Sequence, residues 1–149
     1  MARYLTLVAT PLAADDAFAY IADLTNFAEW DPGVRRSVQV AGDGSRMGAA
    51  YDVTVAAFPR DLTLRYEVVE PLQAIRVVLE PNEAHPIAFD VTIRGVVPCF
   101  LEEREDWRVP NQYRYQAHQI RYHQTGVAEG WVEVAGERTA ITPEDWVGT

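Results

Sequence analysis

The chain has 149 residues, of which 48% are hydrophobic and 11% aromatic, which is enough for one domain with its own core. Its formal net charge of −9 argues against nucleic acid as a partner, because neutralising a phosphate backbone requires clustered cations. All 13 basic residues are Arg, so chemistry that forms a Schiff base on a lysine is excluded.

Cysteine and hydropathy patterns give no sign of export or membrane insertion. Cys99 is the single cysteine, so no internal disulfide is expected, and no His/Cys set has zinc-finger spacing. The N-terminus lacks a basic region followed by an apolar run, and no stretch approaches the roughly 20 apolar residues that cross a bilayer. We therefore expect a cytoplasmic protein with no membrane span, no metal and no cofactor.

The first elements are a short strand and a helix. An apolar strand is predicted over Tyr4 to Val8, and Pro11 marks the break after it. Asp15 and Asp16 then lie where a helix N-terminus favours negative charge. The apolar residues that recur at helical spacing are Phe18, Ile21 and Ala22.

A second short helix is predicted over Thr25 to Trp30, with Thr25 as its N-cap. Pro32 ends this helix because it disfavours a helical residue before it. Gly33 permits a left-handed turn before the next strand.

An antiparallel meander is predicted after the helices. Its strands cover Val34 to Ala41, Gly48 to Ala56, Leu62 to Glu70 and Ala74 to Glu80. In the third strand Leu62, Leu64, Tyr66 and Val68 alternate with polar residues, so one face is apolar and the other is wet.

The segment Ala9 to Val34 and the strand order through Leu79, including Val68 to Pro71, resemble the START-like or Bet v 1-like superfamily of polyketide cyclase/dehydrase and lipid-transport proteins. The resemblance implies an α+β helix-grip fold, in which a curved antiparallel sheet surrounds an internal apolar cavity. It also implies a small hydrophobic ligand of the lipid, polyketide or isoprenoid class.

The second half departs from this family. The superfamily closes with a long amphipathic C-terminal helix, and no such helix is predicted here, because Thr125 to Ile141 alternates like strands with a hairpin turn at Ala135-Gly136-Glu137. Alternatively, a short helix over Leu101 to Asp106, or a longer one reaching Gln119, packs into the sheet in place of the C-terminal helix. We expect a single domain over 1–149, with 1–80 recognisable and 81–149 a divergent β-rich completion.

His85 to Gly95 and Arg121 to Val134, running on to Asp145 to Thr149, resemble an uncharacterised lipocalin-like family related to hydroxyneurosporene-synthase-type proteins. This second resemblance implies that the chain joins the front of a helix-grip domain to a fragment of a β-barrel-like domain.

Metal and nucleophile chemistry find little support in the sequence. His118 and His123 have the wrong spacing to share a strand face, so we expect these two histidines and His85 to lie at the surface or rim. The serines Ser37 and Ser45 lie in no nucleophile-elbow pattern.

With metal and nucleophilic catalysis disfavoured, general acid/base catalysis remains as the candidate chemistry. Its candidates are Tyr51, Tyr66, Asp52, Asp90 and His123. Asp52 and Asp90 are out of phase with their apolar neighbours, so we expect both to face solvent. Tyr51 and Tyr66 point inward, where each either hydrogen-bonds a ligand or satisfies a backbone group.

Aromatic residues are the candidate wall of a ligand pocket. Phe18 is expected to fill the core, and Phe27 and Trp30 to gate the cavity entrance. The candidate ligand-binding residues are Phe27, Trp30, Tyr51, Phe58, Tyr66, Phe89 and Trp107.

Three hypotheses follow. The first is a module that binds a small hydrophobic molecule in an internal cavity. The second is an aromatase/cyclase or dehydratase on the same scaffold, which requires an inward-facing acid or base. The third is a partial or recombined domain that acts only in association, whose uncovered apolar sheet predicts a homodimer.

Overall fold

A computed structural model describes residues 11–98, 100–101, 105–108, 115–119 and 122–148. The predicted strand over Tyr4 to Val8 lies outside them. The helical segments of the described part are α1 (Ala14–Ala22), a 3-10 turn (Leu24–Asn26) and α2 (Phe27–Trp30). Two short helices before the first strand of the sheet are confirmed.

The second helical segment ends at Trp30, as predicted, but its start and the turn that follows it differ from prediction. Thr25 is not the N-cap. The Asp23 carboxylate accepts hydrogen bonds from the backbone N–H of Thr25 at 2.9 Å and from its hydroxyl at 2.7 Å, so the segment begins one residue earlier. Gly33 does not adopt a left-handed conformation. Its N–H instead donates to the Asp31 side chain at 2.8 Å, which turns the chain into the first strand.

The main sheet is antiparallel throughout. Its strands are β1 (Val34–Ala41), β2 (Ala50–Val55), β3 (Leu62–Glu70), β4 (Ala74–Leu79), β5 (Ile87–Gly95), β10 (Gly126–Val134), β11 (Glu137–Ile141) and β12 (Val147–Gly148). The order across the sheet is β1-β2-β3-β4-β5-β10-β11, and β12 pairs with the start of β10. The predicted meander is confirmed with small shifts of its boundaries.

Two short hairpin-like pairs lie between β5 and β10 in sequence. They join β6 (Phe100–Leu101) to β9 (Tyr122–His123) and β7 (Glu105–Arg108) to β8 (Tyr115–Gln119). The alternative helix over Leu101 to Asp106 is therefore wrong wherever its residues are described. Antiparallel pairing with a distant segment overrides the helix propensity of a Glu-rich stretch there.

The predicted hairpin in the second half is confirmed between β10 and β11. Val134 pairs with Glu137, which leaves Ala135 and Gly136 as a two-residue loop. Both have positive φ, 51° and 87°, as a type I′ turn requires.

The register places every other residue on one face of the sheet. Tyr51 lies opposite Tyr66, Tyr66 opposite Val77 and Val77 opposite Val91, which defines an apolar inner face. The residues between them form the outer face, which is predominantly polar. The sheet therefore has one apolar face and one solvated face, as the alternation predicts.

The core occupies one side of the inner face. Val34, Ala49, Tyr51 and Val53 form a buried cluster from β1 and β2 and the turn between them, and Leu24, Phe27, Val55, Tyr66 and Val68 pack against it. The 3-10 turn and α2 thus cover only the β1–β3 side of the sheet. Phe18 was expected in this core, but its side chain is 62% exposed, because α1 packs mainly against the 3-10 turn.

Gly130 lies in the middle of β10 at a point of close backbone approach. It has φ +134°, and a Cβ atom there would overlap the carbonyl oxygen of Asp90 on β5. Only glycine allows β10 to pair with β5 without a break at this position.

We predict that Gly130→Ala lowers the free energy of unfolding by about 3 kcal/mol, because the methyl group adds a backbone collision to an unfavourable φ. Gly136→Ala is the matched control, since Gly136 also has positive φ but nothing within 4 Å of its missing Cβ. We expect the control to cost about 1 kcal/mol. Urea unfolding of both variants measures the difference, and equal costs would contradict the role given to the β5–β10 approach.

Candidate functional site

A concavity of about 220 Å³ opens at one end of the inner face, between the β3–β4 turn and the paired ends of β5 and β10. We call it the inner-face pocket. The lining residues on which its properties depend are Val68, Leu72, Ile75, Ile93, Gly95 and Gln124. These residues come from both halves of the chain.

The floor of the pocket is aliphatic. Val68 on β3 lies opposite Ile75 on β4, and Ile75 lies opposite Ile93 on β5. Three consecutive strands thus place branched side chains in one row. The floor stays open to solvent, since Ile93 is 38% exposed.

The rim is the turn that joins β3 to β4. The N–H of Gln73 donates to the carbonyl of Glu70 at 3.0 Å, so Pro71 and Leu72 occupy the two central positions of the turn. Leu72 has φ +60°, in the left-handed region that glycine and asparagine favour at this position. A leucine held there costs of the order of 1 kcal/mol.

Gln124 closes one side of the pocket. Its Nε2 donates to the carbonyl oxygens of Leu72 at 3.3 Å and Val97 at 2.9 Å. Because both partners are acceptors, they fix the orientation of the amide and leave its oxygen as an acceptor. The amide lies over Gly95, where a Cβ atom would displace it from its present position.

The one charged side chain among the pocket's lining residues is already paired. Glu70 accepts a hydrogen bond from Arg94 Nη1 at 2.8 Å, and both side chains are half-exposed. The carboxylate is therefore a neutralised part of the rim and does not present an isolated charge to a ligand.

The two inward-facing tyrosines have different environments. The hydroxyl of the fully buried Tyr51 donates to the carbonyl of Gly44 at 2.5 Å, so this ring satisfies a backbone group. Tyr66 is half-buried, and its hydroxyl has no hydrogen-bond partner in the described part of the chain. Burial raises the pKa of both phenols, which keeps them protonated at neutral pH, and nearby carboxylates raise it further. Tyr66 lies one inner-face position from Val68.

The remaining aromatic candidates are scattered. Phe27 packs on the core and lies 4.4 Å from Trp30 between ring centroids, and Trp30 is 43% exposed. Phe89 lies on the inner face of β5 opposite Leu79. Phe58 does not form a pocket wall, because it sits in the β2–β3 loop with 93% of its side chain exposed.

Trp107 belongs to β7, where it pairs with Ala117, and its side chain lies outside the described part. No predicted aromatic residue is among those that line the inner-face pocket. Sequence reasoning missed Leu72, Ile75, Ile93 and Gln124. Aliphatic residues carry no chemical signature, and the one available signal was Pro71, which marks the turn.

The histidines do not assemble a metal site where side chains are described. His85 Nε2 lies 3.0 Å from the carbonyl of Arg60 and ties two loops together at the end of the sheet opposite the pocket. Among the described residues, no group of three His, Cys, Asp or Glu side chains is placed to hold a metal ion. The side chains of His118 and His123 lie outside that part.

The outer face carries the ionic contacts that hold the strands beneath the pocket. Arg76 donates to both carboxylate oxygens of Asp90, at 2.7 and 2.6 Å, and to Glu67 at 3.1 Å. Asp52 pairs with Arg65 at 2.9 Å. The prediction that Asp52 and Asp90 lie on the solvated face is confirmed. The Arg76 hydrogen bonds hold the pKa of Asp90 below its usual value, although partial burial opposes the shift.

The described part of the chain forms an open antiparallel sheet with two short helices on one side. Residues 34–149 match a family of unknown function, DUF8625, and the chain belongs to this family. The match begins at the first residue of β1 and spans every strand of the main sheet. No curated protein and no solved structure matches the chain. In the described residues, no helix has both the length and the apolarity needed to cross a bilayer.

We predict that Asp90→Asn destabilises the protein by about 1 kcal/mol at pH 7, since it breaks a two-oxygen contact with Arg76 on a partly exposed surface. The pKa of Asp90 is lowered from 3.8 by folding, so its contribution is fully present above 3.8 and is lost as pH falls through the lower folded-state pKa. The cost should therefore shrink in acid.

Asp52→Asn is the control, because Asp52 makes the same two-oxygen contact with Arg65 at longer distances of 2.9 and 3.3 Å, and that arginine is more exposed. We expect it to cost about 0.5 kcal/mol. Thermal unfolding between pH 2 and pH 7 measures both variants. A cost of Asp90→Asn that is independent of pH would contradict the account.

Proposed function

We propose that this protein binds a small apolar molecule in the inner-face pocket. The observation that carries the proposal is the row of aliphatic side chains, Val68, Ile75 and Ile93, which lies in a concavity and stays open to water. Covering exposed apolar surface is favourable, and concave apolar surface with a few polar groups at its rim is typical of ligand sites.

The size of the pocket limits the ligand. A cavity of about 150 Å³ admits benzene, and pockets for drug-sized ligands begin at about 300 Å³. The pocket of about 220 Å³ lies between them. Of the ligand classes that the START-like resemblance implies, a bicyclic aromatic fragment or a single isoprenoid-derived unit suits this volume, and a long acyl chain does not.

The described side chains favour binding over acid/base catalysis. The two candidate carboxylates, Asp52 and Asp90, are paired with arginines on the outer face. At the pocket, the carboxylate of Glu70 is paired with Arg94. The raised pKa of Tyr66 keeps its phenol protonated near neutrality, and its side chain does not line the pocket, so it supplies no base there.

A START-like ancestry and a cytoplasmic location are part of this proposal. The antiparallel strand order β1-β2-β3-β4-β5 after two short helices supports the first. The competing occupant of the open inner face is a second copy of the chain, and the test below separates it from a small ligand.

Isothermal titration calorimetry with 2-naphthol, a bicyclic aromatic probe, tests the proposal. We expect a Kd of the order of 0.1–1 mM, which corresponds to about 4–5.5 kcal/mol. Dodecanoic acid should bind more weakly, because its chain is too long for the pocket.

Ile93→Trp should weaken 2-naphthol binding at least tenfold, because the larger ring fills the pocket. Val40→Trp is the matched control, since Val40 is an exposed residue of β1 that does not line the pocket. Size-exclusion chromatography at the same concentrations reports the number of subunits. Equal binding by both variants, or a dimer that Ile93→Trp converts to a monomer, would contradict the proposal.

A further inference from the structure

We propose that Leu72 is a ligand-contacting residue that helps determine the specificity of the inner-face pocket, retained in a strained turn for binding and not for folding. This inference rests on the proposed function. It arises from three observations that together do not suit a structural role for this side chain.

The backbone of Leu72 has a conformation that its side chain opposes. With φ +60° it occupies the third position of the β3–β4 turn, directly after Pro71. The turn geometry favours glycine or asparagine there, because a Cβ atom crowds the following peptide in the left-handed region.

Burial does not compensate for this strain. The Leu72 side chain is 75% exposed and is not part of the buried core. A glycine at this position would relieve the strain at little loss of packing, so folding alone does not account for a leucine.

The turn is nevertheless held firmly against the pocket. Gln124 Nε2 donates to the carbonyl of Leu72 at 3.3 Å, and the N–H of Gly95 donates to the carbonyl of Gln73 at 2.8 Å. Leu72 lines the pocket from this fixed position, across from the aliphatic floor. A ligand seated on Ile75 and Ile93 would therefore cover the exposed face of Leu72 as well.

The expected ligand presents hydrocarbon surface on two sides, one toward the floor and one toward the rim. An aliphatic rim residue shields such a ligand from water, which a glycine or asparagine does not do. The loss of this contact should weaken binding without weakening the fold.

Three variants test the role of Leu72. Leu72→Gly should raise or preserve Tm and weaken 2-naphthol binding about five- to tenfold. Leu72→Ala keeps the strain and removes most of the side chain, so it should weaken binding to a similar extent without raising Tm. Ala135→Gly is the matched control, because it relieves a positive φ of 51° in the β10–β11 turn, away from the pocket. It should raise Tm and leave binding unchanged.

The outcomes distinguish this inference from the proposed function. If the wild type binds 2-naphthol, Ile93→Trp abolishes binding and Leu72→Gly binds like the wild type, only the role of Leu72 is overturned. A Leu72→Gly variant with a lower Tm would also overturn it, because the leucine would then serve the fold. If the wild type binds no probe, the proposed function and this inference both fail.

Discussion

The pairing of β5 with β10 is the interaction on which the rest of the structure depends. These strands are in register along their whole length, from Gly95 opposite Gly126 to Ile87 opposite Val134. Residues 96–125 lie between them in sequence, so the pairing closes a long loop, at an entropic cost that grows only slowly with loop length. It joins the first five strands to β10, β11 and β12 in one sheet, and it requires the bare backbone of Gly130 beside Asp90.

The same register gives the two faces of the sheet their different roles. On the outer face, Arg76 links β4 to Asp90 on β5 and to Glu67 on β3, which fixes the strands relative to one another. On the inner face, Ile75 and Ile93 come together from the same two strands. The ionic contacts on one side thus hold the aliphatic floor in place on the other. The pocket forms where the two halves of the chain meet. There the Gln124 side chain donates a hydrogen bond to the carbonyl of Leu72, which lies 52 positions earlier in the sequence.

Local patterns were sufficient to predict the two short helices and the strands β1 to β4. Strict alternation from Leu62 to Val68, together with turn residues such as Pro71, predicts strands and their faces, and acidic residues mark the first helix. Long-range pairing has no comparable local signal, so the order β5-β10 and the strand at Glu105–Arg108 were not predictable. The ligand-binding site predicted from the sequence consisted of aromatic residues. Tyr51 instead packs in the core, while the pocket is lined by aliphatic residues, whose roles depend on register alone.

The proposed function places a small apolar molecule on the inner face, between Leu72 and the aliphatic floor. Nuclear Overhauser effects between 2-naphthol and isoleucine methyl groups of the full chain test it most directly. We expect contacts from the probe to Ile75 and Ile93, and none to Ile141 or to Ile21 on α1. Contacts to Ile21 alone would contradict it. Inner-face methyl signals that change with protein concentration but not with added probe would also contradict the proposal, because a second copy of the chain would then cover the sheet.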